Sequence, residues 1–135
     1  MKIAITATGR DLQAPVDPRF GRCRYLVILD TEGGGSEVVE NPALTSPGGA
    51  GVALVQELVR RGVRTVITGD VGPNAFQALR AAGVAVHTGA SGTVAEALAQ
   101  YRRGGLRAPD GATVPAHRGQ GFPGRGGRGT GRGQW

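Results

Sequence analysis

The residues best placed to do chemistry in this chain lie in its loops: Pro15-Val16-Asp17-Pro18-Arg19-Phe20-Gly21-Arg22-Cys23-Arg24, Pro47-Gly48-Gly49-Ala50-Gly51, Gly69-Asp70-Val71-Gly72-Pro73-Asn74 and Gly89-Ala90-Ser91-Gly92-Thr93. Three of these stretches lead into helical patterns. A helix start presents free N–H groups and a partial positive charge, and glycine lets a ligand approach the backbone closely, so the chemistry offered is anion recognition. Arg19, Arg22 and Arg24 add full charges. The plain alternative is that these glycines only make turns and caps. Gly48-Gly49-Ala50-Gly51 has neither the spacing and terminal Lys-Ser/Thr of a phosphate-binding loop nor a G-x-G-x-x-G pattern, which argues against a nucleotide. Two residues offer soft donors. Cys23, between Arg22 and Arg24, would have its thiolate favoured and could ligate a soft metal, or it is a small buried residue at the start of a strand. His87 ends a strand at the same edge and reads either as a metal ligand or as a structural histidine; His117 lies in the tail. Asp17 and Asp70 could form an acid–base pair, but one precedes proline and the other sits in a turn, so catalysis is not expected.

The elements that must carry these loops can be read from periodicity. Segments rich in β-branched residues predict strands at 2–6, 25–30, 37–40, 65–68 and 84–87, the second apolar enough to be covered on both faces. Thr31-Glu32-Gly33-Gly34-Gly35-Ser36 is a hairpin connection. Helices are expected over 51–61, 75–82 and 93–103, each followed by glycine, the last opening on Thr93 with Glu96 as a capping box. Alternation of strand and helix after the hairpin predicts right-handed crossovers, so the first, third, fourth and fifth strands run parallel and their following loops share one rim.

Composition limits the classes. The chain has 135 residues, enough for one domain, and a single cysteine, so no internal disulfide and a reducing, cytoplasmic setting are expected. No apolar run approaches membrane-spanning length, and no membrane association is expected. The net charge of +6 is uneven: residues 1–106 hold 11 Lys and Arg against 9 Asp and Glu, whereas residues 107–135 hold 5 against 1. That second stretch has 9 glycines in 29 residues and repeated Arg-Gly pairs, and reads as a disordered tail after a folded domain at 1–106. Nucleic acid is a candidate partner only through this tail.

Taken in order, the Pro15–Arg24 stretch, Glu40-Asn41-Pro42, Gly48-Gly49-Ala50-Gly51, the run from Val66 to Phe76, and Gly92-Thr93-Val94-Ala95-Glu96-Ala97 resemble the dinitrogenase iron-molybdenum cofactor biosynthesis family over residues 1–106. The resemblance implies an α/β fold, a ribonuclease H-like three-layer α/β/α arrangement with a five-stranded mixed sheet of order 3-2-1-4-5. It implies a non-enzymatic carrier or scaffold for an anionic iron-molybdenum or molybdenum-copper sulfide cluster or its precursor, with a cofactor-assembly or ATPase partner protein. Carried over, the binding residues are Arg19, Phe20, Gly21, Arg22, Gly48, Gly49, Gly51, Gly69, Gly72, Pro73, Asn74, Gly92 and Thr93, with Cys23 and His87 as candidate metal ligands. The alternative function is an interaction or regulatory module whose Arg-Gly tail binds nucleic acid or a protein.

Overall fold

The structure, a computed structural model, describes residues 1–42 and 50–114. Gly48, Gly49 and the Arg-Gly repeats from residue 118 lie outside those residues. In chain order the elements are β1 (Lys2–Ala7), β2 (Tyr25–Asp30), β3 (Ser36–Glu40), α1 (Ala50–Arg60), β4 (Val63–Ile67), α2 (Pro73–Ala81), β5 (Ala85–His87) and α3 (Val94–Arg102). The strands form one sheet of order β3-β2-β1-β4-β5, the order expected. β1–β2 and β2–β3 are antiparallel, while β1–β4 and β4–β5 are parallel. β1, β3, β4 and β5 therefore point the same way, and their C-terminal ends define one rim.

Strand alternation divides the core into two. Ala4, Leu26, Ile28 and Val66 face Leu54, Leu58 and Leu79 of α1 and α2. Their neighbours Ile3, Ile5, Val27 and Ile67 face Val94 and Ala97 of α3. Helices thus cover both faces, and β2 is buried from both sides, as its unbroken apolar run requires.

Element ends differ from the expected ones where local chemistry decides them. α2 begins at Pro73, not Ala75, because proline's fixed φ suits the first helical position and Gly72, at φ −82°, serves as N-cap. β4 begins at Val63, two residues before the expected start, and pairs with Lys2. In the hairpin, the Asp30 carboxylate accepts the N–H groups of Glu32 and Gly33, and Gly34 takes φ 71°.

Backbone pairing does not stop at Leu106, where the folded part was expected to end. Arg107 and Thr88 exchange both backbone hydrogen bonds, at 2.8 and 3.0 Å, and Thr113 bonds to Val71. This segment has few aliphatic side chains, and anchoring by hydrogen bonds to the backbone of Thr88 and Val71 leaves no hydrophobic pattern to read.

Candidate functional site

The first long loop is pinned across the rim. Asp17 N–H donates to Thr6 O (3.0 Å), Val16 N–H to Gly92 O (2.8 Å), Asp70 N–H to Pro18 O (2.7 Å) and Phe20 N–H to Asp70 O (3.3 Å). Gly69 lies so close to this loop that a Cβ would stand 2.6 Å from Pro18 Cα. Gly21, at φ 95°, packs on the start of α1, and a Cβ on Gly51 would lie 2.9 Å from Ala75 Cβ. These three glycines were expected to admit a ligand. Each also admits another segment of this chain: the loop onto the α2 turn, the loop onto α1, and α1 onto α2.

The outcome is that the N-termini of α1 and α2 stand side by side beneath the Arg19–Arg22 turn, which is closed by a 3.3 Å bond from Arg22 N–H to Arg19 O. Neither helix has an acidic residue in its first turn. Gly72 caps α2 without a side-chain acceptor, Pro73 has no N–H, and the N–H groups of Gly72, Asn74 and Ala75 meet no acceptor among the described residues. Asn74 is exposed. A helix start in this condition favours an external anion.

The third helix is different, contrary to the expectation that its start joins the same site. Thr93 N–H donates to Glu96 Oε1 (2.8 Å) and Glu96 N–H to Thr93 Oγ1 (3.1 Å), while Val94 N–H and Ala95 N–H donate to Ala14 O and Leu12 O. All four donors at the start of α3 are taken, and Glu96 adds a negative charge there. Gly92, at φ 82°, shapes that cap, and its backbone O accepts from Val16.

Among the arginines, Arg19 lies 3.3 Å (Nε) from the Asp17 carboxylate, whose side chain is 4% exposed, so part of its charge is already compensated. Asp17 is held in this contact and also accepts Arg19 N–H at 3.0 Å. Arg22 is exposed, and Arg22 and Arg24 have no carboxylate partner among the described residues. Arg24 turns to the Tyr25 ring (5.7 Å), which Arg10 also approaches at 4.9 Å. Phe20, expected at the site, is buried in the core under α1 and α2.

Cys23 is fully buried, and its thiol is pushed up to about 12, first by burial and then by the negative charge of Asp17. The expectation that Arg22 and Arg24 favour its thiolate is thereby reversed: the low dielectric around the sulfur outweighs guanidinium groups that face solvent. Asn41 fixes the surrounding backbone, donating from Nδ2 to Gly21 O (3.0 Å) and Cys23 O (2.9 Å). His87 sits on the opposite face of the sheet, its ring 4.9 Å from Tyr101, with its pKa lowered by burial. The two soft donors are therefore not brought together, and among the described residues no three His, Cys, Asp or Glu side chains are grouped to hold a metal.

Sequence reasoning missed three features. Asn41 belongs to the quoted Glu40-Asn41-Pro42 turn, but its role as staple appears only when the loops meet. Thr6, Thr68 and Thr88 are buried side by side below the rim, with Thr6 Oγ1 and Thr68 Oγ1 2.9 Å apart. Their strand-end positions were the available signal. Thr113 takes the N–H of Val71, and nothing in its neighbourhood marked it.

Comparison with known proteins places this geometry. Residues 1–104 match the family described as dinitrogenase iron-molybdenum cofactor. The apo orange protein from Desulfovibrio gigas is similar at 38% identity and a TM-score of 0.80, covering 84% of this chain and 96% of that one. An NMR structure of a Thermotoga protein of the DUF35 family is similar at 42% identity and a TM-score of 0.72, over 87% and 98% of the two chains. An uncharacterised protein of Methanocaldococcus jannaschii is 28% identical over 109 residues, 78% of this chain and 89% of that one. The chain belongs to the dinitrogenase iron-molybdenum cofactor family.

Proposed function

We propose that this protein is a non-enzymatic carrier that holds an anionic metal–sulfur cluster, of iron-molybdenum or molybdenum-copper type, or its precursor, as cargo. The observation that carries this reading is the pair of adjacent α1 and α2 N-termini, free of acidic residues and with uncapped α2 donors, beneath an arginine-bearing turn. Family membership supports this class of anion.

The donor set suits a cluster that arrives with its own sulfide ligands. With Cys23 buried as a thiol and His87 on the other face, protein-to-metal bonds fit poorly. Backbone N–H groups and guanidinium groups, by contrast, suit the sulfide or oxo exterior of such an anion. Arg22 and the N–H groups of Gly72, Asn74 and Ala75 would hold the cargo, with Arg19 steadied by Asp17. Loading and unloading would involve an assembly or ATPase partner protein.

Reconstitution tests this directly. Folded protein mixed with tetrathiomolybdate, alone and with copper or iron, is expected to carry a charge-transfer absorbance through gel filtration. If no colour travels with the folded protein under any of these conditions, the carrier reading fails.

A further inference from the structure

Residues 107–114 run back over the molecule as a strap. Arg107 pairs with Thr88 beyond the end of β5, Asp110 O accepts from Arg80 Nη1 (3.3 Å) near the C-terminal end of α2, and Thr113 reaches the loop before the α2 N-cap. There the Thr113 hydroxyl accepts the Val71 N–H at 2.8 Å, and Thr113 N–H returns a bond to Val71 O at 2.8 Å. Val71 immediately precedes Gly72, so its N–H belongs to the same turn as the open donors of the candidate site. Thr113 Oγ1 thus occupies, from within the chain, one donor of a site built for an oxygen- or sulfur-rich anion.

We propose that this strap is a latch on the anion site: cargo that takes the Val71 N–H displaces Thr113 and frees the chain from Arg107 onward. The inference rests on the carrier reading. One feature suits a latch more than a brace. The strap is held by backbone and hydroxyl hydrogen bonds while Arg107, Ala108, Asp110, Ala112 and Thr113 are exposed, so it belongs to the least stable part of the fold. A segment that must open before binding also lowers apparent affinity by the fraction of molecules that are open, so weakening it should tighten binding.

Full-length protein and Thr113→Val are compared in two measurements: equilibrium binding of tetrathiomolybdate, and the rate of tryptic cleavage at Arg107–Ala108 followed by mass, with and without that probe. The latch predicts about fivefold tighter binding by Thr113→Val, the effect of removing one ordinary hydrogen bond. It also predicts faster cleavage of the unloaded variant, and faster cleavage of the wild type when tetrathiomolybdate is added. Thr113→Ser, which keeps the hydroxyl, should behave as wild type, separating loss of the bond from misfolding. Equal or weaker binding by a folded Thr113→Val, or cleavage at Arg107 that the bound probe leaves unchanged or slows, overturns the latch alone. Failure of wild type and variant alike to bind refutes the carrier reading and the latch together.

Discussion

A thiol whose pKa stands at about 12 remains protonated at neutral pH, and Cys23 is in addition shut inside the core. Replacing it with alanine removes one buried sulfur, so Cys23→Ala should lower stability by about 1 kcal/mol while keeping tetrathiomolybdate colour through gel filtration. Loss of colour in a folded variant would show that the sulfur is a ligand after all. His87 provides a test in pH. Burial lowers its folded pKa below the unfolded value of about 6.5, so the unfolded chain binds more protons in the window between the two. The contribution to stability is therefore complete above about 6.5 and is lost as pH falls from there through the folded pKa. Thermal unfolding at pH 7.5 and pH 5 should show a smaller acid loss for His87→Gln than for wild type, the carboxylates being common to both. An equal loss would mean that the ring is not desolvated in solution.

At the scale of elements, the two starts of helix on opposite faces of the sheet behave oppositely because their sequences do. Thr93 and Glu96 close α3 with a capping box, a pattern legible from their spacing alone. Pro73 opens α2 without any acceptor, which leaves its donors to something outside the helix. The glycines divide along the same lines. Gly69→Ala drives a Cβ into Pro18 backbone and should destabilise by about 1 to 3 kcal/mol, since neither loop can retreat from the rim pairing. Gly72→Ala meets no atom within 4 Å at an ordinary φ and should unfold within about 1 kcal/mol of wild type. Chemical denaturation of both variants checks the pair. Equal stabilities would mean that the loop over Gly69 is not packed as described.

For the whole molecule, helix placement and strand direction were legible from periodicity and from the single hand of the crossovers, whereas the sheet order came from the family resemblance. The candidate site was legible only to the level of a rim. Spacing showed that glycines cluster there, but whether a glycine faces a ligand or another loop depends on contacts far apart in sequence, such as Gly69 with Pro18 and Gly51 with Ala75. The fate of Cys23 was hidden for the same reason: its neighbours in sequence are arginines, while in space it is buried in the apolar cluster shared with α1 and α2. Residues 107–114 escaped notice because their anchors are backbone groups of Thr88 and Val71. The central claim is that the open start of α2 takes an anion, and Asn74→Asp tests it most directly, since Asn74 is exposed in a first turn that holds no acid. An aspartate there complements the helix dipole and should raise stability by about 0.3 to 1 kcal/mol. The same charge should weaken tetrathiomolybdate binding by more than about tenfold, the effect of roughly 1.4 kcal/mol of repulsion. Binding that stays at the wild-type level in a variant so stabilised would contradict the assignment of the site.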